Sequence, residues 1–264
     1  MTRYSIAACF GLLVCGGWPE VRRVESADLV YPLDIAVAEG GDVLVADRKL
    51  PGVLRIHEGE ATVVAAGSQR FREPLNAVWS VAVATDGSVL VGDSATRGLY
   101  RVAAGGEPVK INTSYIGIPI RLAVDSGGRI YVSDLETQRI WRFPPAGGEA
   151  EEFAVVAGVR GLAIDAEDRV WTVRANPPQL VRYTSDGAAE TIVDDGPFEF
   201  PHQLAVKADG SMAYVADGYA NCVWSIAPGS EPTKWVTGDP LKGPTGLAWR
   251  GEELLVVDPR FLPY

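Results

Sequence analysis

Pro119-Ile120-Arg121-Leu122-Ala123-Val124, Gly127-Gly128, Tyr131-Val132-Ser133-Asp134 and Arg139-Ile140 follow one another as a single unit. The unit reads as an apolar strand, a tight turn, a second strand closed by aspartate, and a third strand carrying arginine. The same order recurs along the chain. Alanines at Ala36, Ala82, Ala123, Ala163, Ala205 and Ala248 mark its copies, at intervals of 46, 41, 40, 42 and 43 residues. Strand-built repeats of roughly 40–50 residues are propeller blades. The first strands are nearly continuous in apolar residues, the pattern of a strand covered on both faces. Where the sheets converge on an axis, a methyl side chain fits and a larger one clashes.

The turns agree. Gly40-Gly41, Asp86-Gly87, Gly127-Gly128 and Asp209-Gly210 lie between first and second strands and supply the positive φ that two-residue hairpins need. Second strands close on Asp47, Asp93, Asp134, Asp217 and Asp258, with Arg174 in that place in the fourth unit. A carboxylate there accepts backbone N–H groups and fixes the turn, a scaffold task repeated from blade to blade. Third strands carry Arg55, Arg101, Arg142 and Arg182, each eight residues after its marker. The expected fold class is all-β: six four-stranded antiparallel blades, the last short of its outer strands because only residues 259–264 follow Asp258. The segment 21–26 is expected to fill the outermost position there.

The chain has 264 residues, 47% of them hydrophobic, and a formal net charge of -10. That charge argues against a broad nucleic-acid footprint. Residues 1–17 read as a secretory leader, with Arg3 before the apolar run from Ile6 to Val14 and small Gly16 and Gly17 after it. This implies a periplasmic or secreted protein with 18–264 as its propeller, and no membrane span once the leader is removed. Cys9 and Cys15 fall in the leader, so Cys222 has no partner for a disulfide and reads as a small buried hydrophobe.

The string from Pro119 to Ile140 resembles the NHL repeat. The resemblance implies a six-bladed propeller related to the senescence marker protein/gluconolactonase and strictosidine synthase-like propellers. In gluconolactonase-like enzymes it implies a divalent metal on the axis, held by residues three before the strand alanine. Those positions here are Leu33, Trp79, Ile120, Arg160, His202 and Thr245, which include no carboxylate or amide. No metal and no other cofactor is therefore expected. Pro201-His202-Gln203-Leu204-Ala205 and Asp217-Gly218-Tyr219-Ala220-Asn221 are similar to NHL-type peptidyl-hydroxyglycine amidating lyases, as is Asp47-Arg48. The zinc of those lyases needs three histidines, whereas this chain has His57 and His202. No nucleophile elbow and no phosphate loop occurs.

First-strand starts and the loops after second strands meet around one mouth of a propeller channel. Reading those positions gives Asp34, Arg48, Trp79, Arg121, Arg160, Arg174, His202 and Tyr219. Arg160 and Arg174 point to an anion site in the fourth unit, since guanidinium groups match carboxylate or phosphate. Trp79 and Tyr219 offer stacking surfaces for a sugar or aromatic group. The expected role is a binding scaffold for a small anionic or sugar-like ligand or a protein partner. The alternative is a hydrolase or lyase of the gluconolactonase-like superfamily with a degenerate metal site. The longest interval places extra length at 67–76, including Gln69-Arg70-Phe71-Arg72.

Overall fold

A computed structural model describes residues 12–15, 22–24, 29–50, 52–70 and 72–259, the first two stretches as backbone strands only. The chain is a β-propeller of small antiparallel sheets, each with four strands. Five blades are contiguous in sequence. Their inner strands are Pro32–Val37, Val78–Val83, Pro119–Val124, Val159–Ile164 and Pro201–Val206. The sixth repeat contributes an inner hairpin, Gly246–Arg250 paired with Glu253–Val257.

The spacing predicts six units in a row with the last one short, whereas the contiguous blades number five and the last sheet is assembled from both ends of the chain. Leu12–Cys15 pairs antiparallel with Glu253–Val257, and Arg22–Val24 pairs in turn with Leu12–Cys15. The outer strand thus falls within the expected 21–26. The third strand comes from inside the segment read as leader; the rest of residues 1–17 lies outside the described residues. An apolar run of this kind suits a buried strand as well as a leader, so composition could not separate the two.

Apolar packing runs between blades. Trp171, Val173 and Leu180 of the fourth blade meet Leu204, Val215 and Cys222 of the fifth. Leu255 and Val257 of the last hairpin pack on Ile35 and Val45 of the first blade, and Leu254 and Val256 on Ala216 and Val223 of the fifth. The six marker alanines line an axial channel of about 280 Å³. Space at the axis is tight. A Cβ on Gly161 would lie 2.9 Å from the Cα of Gln203 on the next inner strand.

The aspartates that close second strands staple the loops on one face. Asp47 accepts from the backbone N–H of Val30 and Tyr31 and from Lys49 and Leu50. Asp134 does the same for Gly117, Ile118, Glu136 and Thr137. Each carboxylate ties the loop after its own strand to the connection entering its own blade. The third-strand arginines are structural too: Arg101 donates to Pro145 O of the next blade at 2.5 Å, and Arg142 to Ser185 O at 3.0 Å.

Candidate functional site

The inner strands do not run straight into the mouth. Register shifts fall between Pro32 and Asp34, Val78 and Ser80, Pro119 and Arg121, Val159 and Leu162, and Pro201 and Gln203. Each is a β-bulge, which leaves a residue outside the ladder and re-aims side chains. The positions between, Leu33, Trp79, Ile120, Arg160 and His202, are those where metal-bearing relatives were expected to place ligands.

Below the mouth the axis is closed by an ion pair. Asp34 and Arg121 are 1% and 3% exposed, so neither lines an open rim as the sequence suggested. Arg121 Nε stands 3.7 Å from Asp34 Oδ1. The same guanidinium donates at 2.6 Å to Ile120 O and at 2.6 Å to Thr245 O of the last hairpin. Asp34 Oδ2 accepts from the Val81 N–H at 3.2 Å. One buried pair thus ties the first, second and third blades to the closing hairpin. Burial pushes the Asp34 carboxyl up to about 6, against the opposing pull of Arg121. Burial likewise lowers Arg121, with Asp34 opposing.

Around the mouth, the structure brings together three of the expected residues and a fourth that sequence reasoning missed. Arg160 lies over the ring of Phe200, with Cζ 4.6 Å from the centroid. Tyr219 stacks on Phe200 at 4.6 Å, and His202 meets its edge at 4.9 Å. Phe200 sits two residues before His202 and belongs to no motif in the repeat, so nothing in the sequence marked it. Gly218 makes room for the histidine: a Cβ there would lie 2.7 Å from His202 Nε2. Asp217 fixes both ends of this wall by accepting from the backbone N–H groups of Phe200, Tyr219 and Ala220.

Arg160 is half-buried and, among the described residues, no carboxylate pairs with it. Asp165 and Glu167 pair with Arg169 at the other end of the blade, and Asp34 pairs with Arg121. Its Nε is buried with no hydrogen-bond partner. Desolvation lowers its pKa, while the Tyr219 hydroxyl acts in the other direction. A cation held in this way favours an anion at the mouth.

Arg174 has a different task. Its guanidinium donates to the carbonyls of Asn176 and Pro177 at 3.1 and 2.8 Å. It closes its loop by capping carbonyls where the other units cap amides. Arg48 and Trp79 form a second cation–aromatic pair, with Cζ 4.9 Å from the ring centroid.

An axial divalent cation does not fit these residues. The Arg121 guanidinium already supplies positive charge at the axis, Asp34 is its partner, the five bulged positions offer no oxygen ligand, and the matching position of the sixth repeat offers only the Thr245 hydroxyl. No three His, Cys, Asp or Glu side chains come together in a metal-binding group among the described residues.

The NHL repeat pattern matches residues 117–143, the stretch from which the sequence reading began. Solved structures share the fold at low identity. Virginiamycin B lyase from Staphylococcus aureus, a catalytically inactive variant with quinupristin, superposes with a TM-score of 0.69 at 14% identity over 93% of this chain and 87% of that one. A gluconolactonase from Xanthomonas campestris gives 0.70 at 15% identity, covering 87% and 86%. A chain of a nidogen/laminin complex gives 0.68 at 19%, covering 86% and 85%. The chain thus shares the β-propeller fold of these structures, and the NHL repeat match is confined to residues 117–143. No curated protein matches it by sequence.

Proposed function

We propose that this chain is a six-bladed, metal-independent binding propeller that takes a small anionic ligand at its axial mouth. The observation that carries the reading is Arg160: a half-buried guanidinium on a bulge, set over Phe200, with no carboxylate partner among the described residues. Phe200, His202 and Tyr219 form the wall against which an aromatic or sugar-like acid would lie. The test uses benzoate and glucuronate as probes in calorimetric titration of the full chain. Saturable binding weakened roughly tenfold or more by Arg160→Ala supports the reading; no binding by either probe, or equal affinity in the variant, overturns it.

A second reading is a hydrolase or lyase. It rests on the fold shared with gluconolactonase and virginiamycin B lyase and on His202 within the same aromatic wall. Turnover of lactone or cyclic ester panels that is lost in His202→Ala would favour it over simple binding.

Export to the periplasm or beyond rests on the N-terminal pattern alone. A mature chain beginning near residue 18 supports export. Retention of Leu12–Cys15, which pair with the closing hairpin, counts against it.

A further inference from the structure

Charge is divided between the two faces of the propeller. Turns between first and second strands, and between third and fourth, lie on the face opposite the mouth. Cations in those turns are each paired there: Arg129 with Asp125 at 2.6 Å, Arg169 with Asp165 at 2.7 Å and Lys207 with Glu252 at 2.9 Å. Further acids such as Glu39, Glu107, Asp186 and Glu231 carry that face's surplus negative charge.

The mouth face differs, and its cations concentrate in one sector of the first and second blades. Arg48 and Lys49 follow each other in the loop after a second strand. Neither pairs with a carboxylate among the described residues; each leans over an aromatic ring, Arg48 over Trp79 at 4.9 Å and Lys49 over Tyr31 at 5.3 Å. Arg70 and Arg72 lie in the long connection beside them, with Arg70 3.7 Å from Glu73. The turn beneath is over-determined. Asp47 accepts from Lys49 N and Leu50 N at 2.9 Å each, and Arg48 N donates to Tyr31 O at 3.1 Å.

We infer that this sector is a docking surface for an acidic peptide segment of a protein partner. It lies beyond the small-ligand site at Arg160. Guanidinium and ammonium groups held on a fixed turn lose little freedom on binding, so the cost of ordering them is already met by the fold. The rings of Trp79 and Tyr31 are covered by the two cations, and Arg48 and Lys49 are themselves exposed, so their N–H groups are open to solvent. Those groups read carboxylates, whereas a glycan would call for open ring faces. The acidic opposite face repels the same partner and so selects the orientation of approach.

The test is fluorescence anisotropy of a labelled glutamate-rich peptide titrated with the full chain at about 50 mM and about 200 mM salt. Saturable binding is expected, weaker at the higher salt. The double variant Arg48→Glu, Lys49→Glu is expected to lower affinity roughly tenfold or more. Arg70→Glu, Arg72→Glu, in an exposed connection, gives a second loss of the same sign should the first variant fold poorly. Arg97→Glu, on the same face but engaged with Tyr115 and Glu136, and Arg160→Ala are each expected to stay within about twofold of the parent chain. No saturable binding, affinity equal to that of the parent chain in both double variants, or binding by anionic vesicles or dextran sulfate without the peptide overturns the inference.

Discussion

Replacing Arg121 by methionine would leave Asp34 on the axis without its cation. Asp34 is 1% exposed, and its other polar contacts are backbone N–H groups, those of Val81 at 3.2 Å and of Ile35. Breaking a buried pair from one side costs about 3–5 kcal/mol, because the survivor is an uncompensated buried charge. For a chain of this size each kcal/mol shifts Tm by about 2–4 °C, so a fall of roughly 6–20 °C is expected. The double variant Asp34→Asn, Arg121→Met removes both charges and is expected to regain most of that loss.

The pH dependence gives a second reading of the same pair. The carboxyl titrates at about 6 in the fold against 3.8 ordinarily, so the folded chain holds the proton more tightly. Stability from this group is therefore fully present below about 4 and is lost as pH rises through about 6, a swing of about 3 kcal/mol. Asp34→Asn is expected to remove that slope. Urea unfolding followed by tryptophan fluorescence at pH 5 and pH 8 measures both effects. An Arg121→Met variant within about 1 kcal/mol of the parent, with the double variant no better, would refute the axial latch.

Asp217→Ala removes an acceptor shared by the N–H groups of Glu199, Phe200, Tyr219 and Ala220 and the indole of Trp224. A loss on the order of 3–5 kcal/mol is expected from denaturant titration, since buried donors are left unmade, together with weaker probe binding because Phe200 and Tyr219 lose their anchor. Burial pushes the Cys222 thiol up to about 12. It is expected to react with a disulfide reagent only at the rate of unfolding, and rapid modification of the native chain would contradict this.

The alanine spacing made the blades legible because a converging axis restricts side-chain size at the same point in each repeat. The stapling role of Asp47, Asp134 and Asp217 was legible for a similar reason: the fold needs it in each unit. The site was legible only in part. Arg160, His202 and Tyr219 could be placed by repeat position, but Phe200 lies outside the repeat and is defined by contacts across a connection. Asp34 and Arg121 were found by position and misjudged in depth, since the bulges that turn them inward leave no mark in residue type. Arg174 stood out as a departure, and its use in capping carbonyls depends on a loop path that spacing does not reveal. Closure escaped the sequence because the pairing of Leu12–Cys15 with the last hairpin joins opposite ends of the chain.

The claim on which the rest depends is that a protein cation, Arg121, holds the axis where metal-bearing propellers hold a divalent ion. Thermal unfolding of the purified full chain with calcium, magnesium, zinc or a chelator tests it directly, alongside a count of metal bound per chain. An unchanged Tm under all four conditions and no saturable cation binding are expected. One tightly held divalent ion per chain, with a Tm that falls on chelation, would contradict the account.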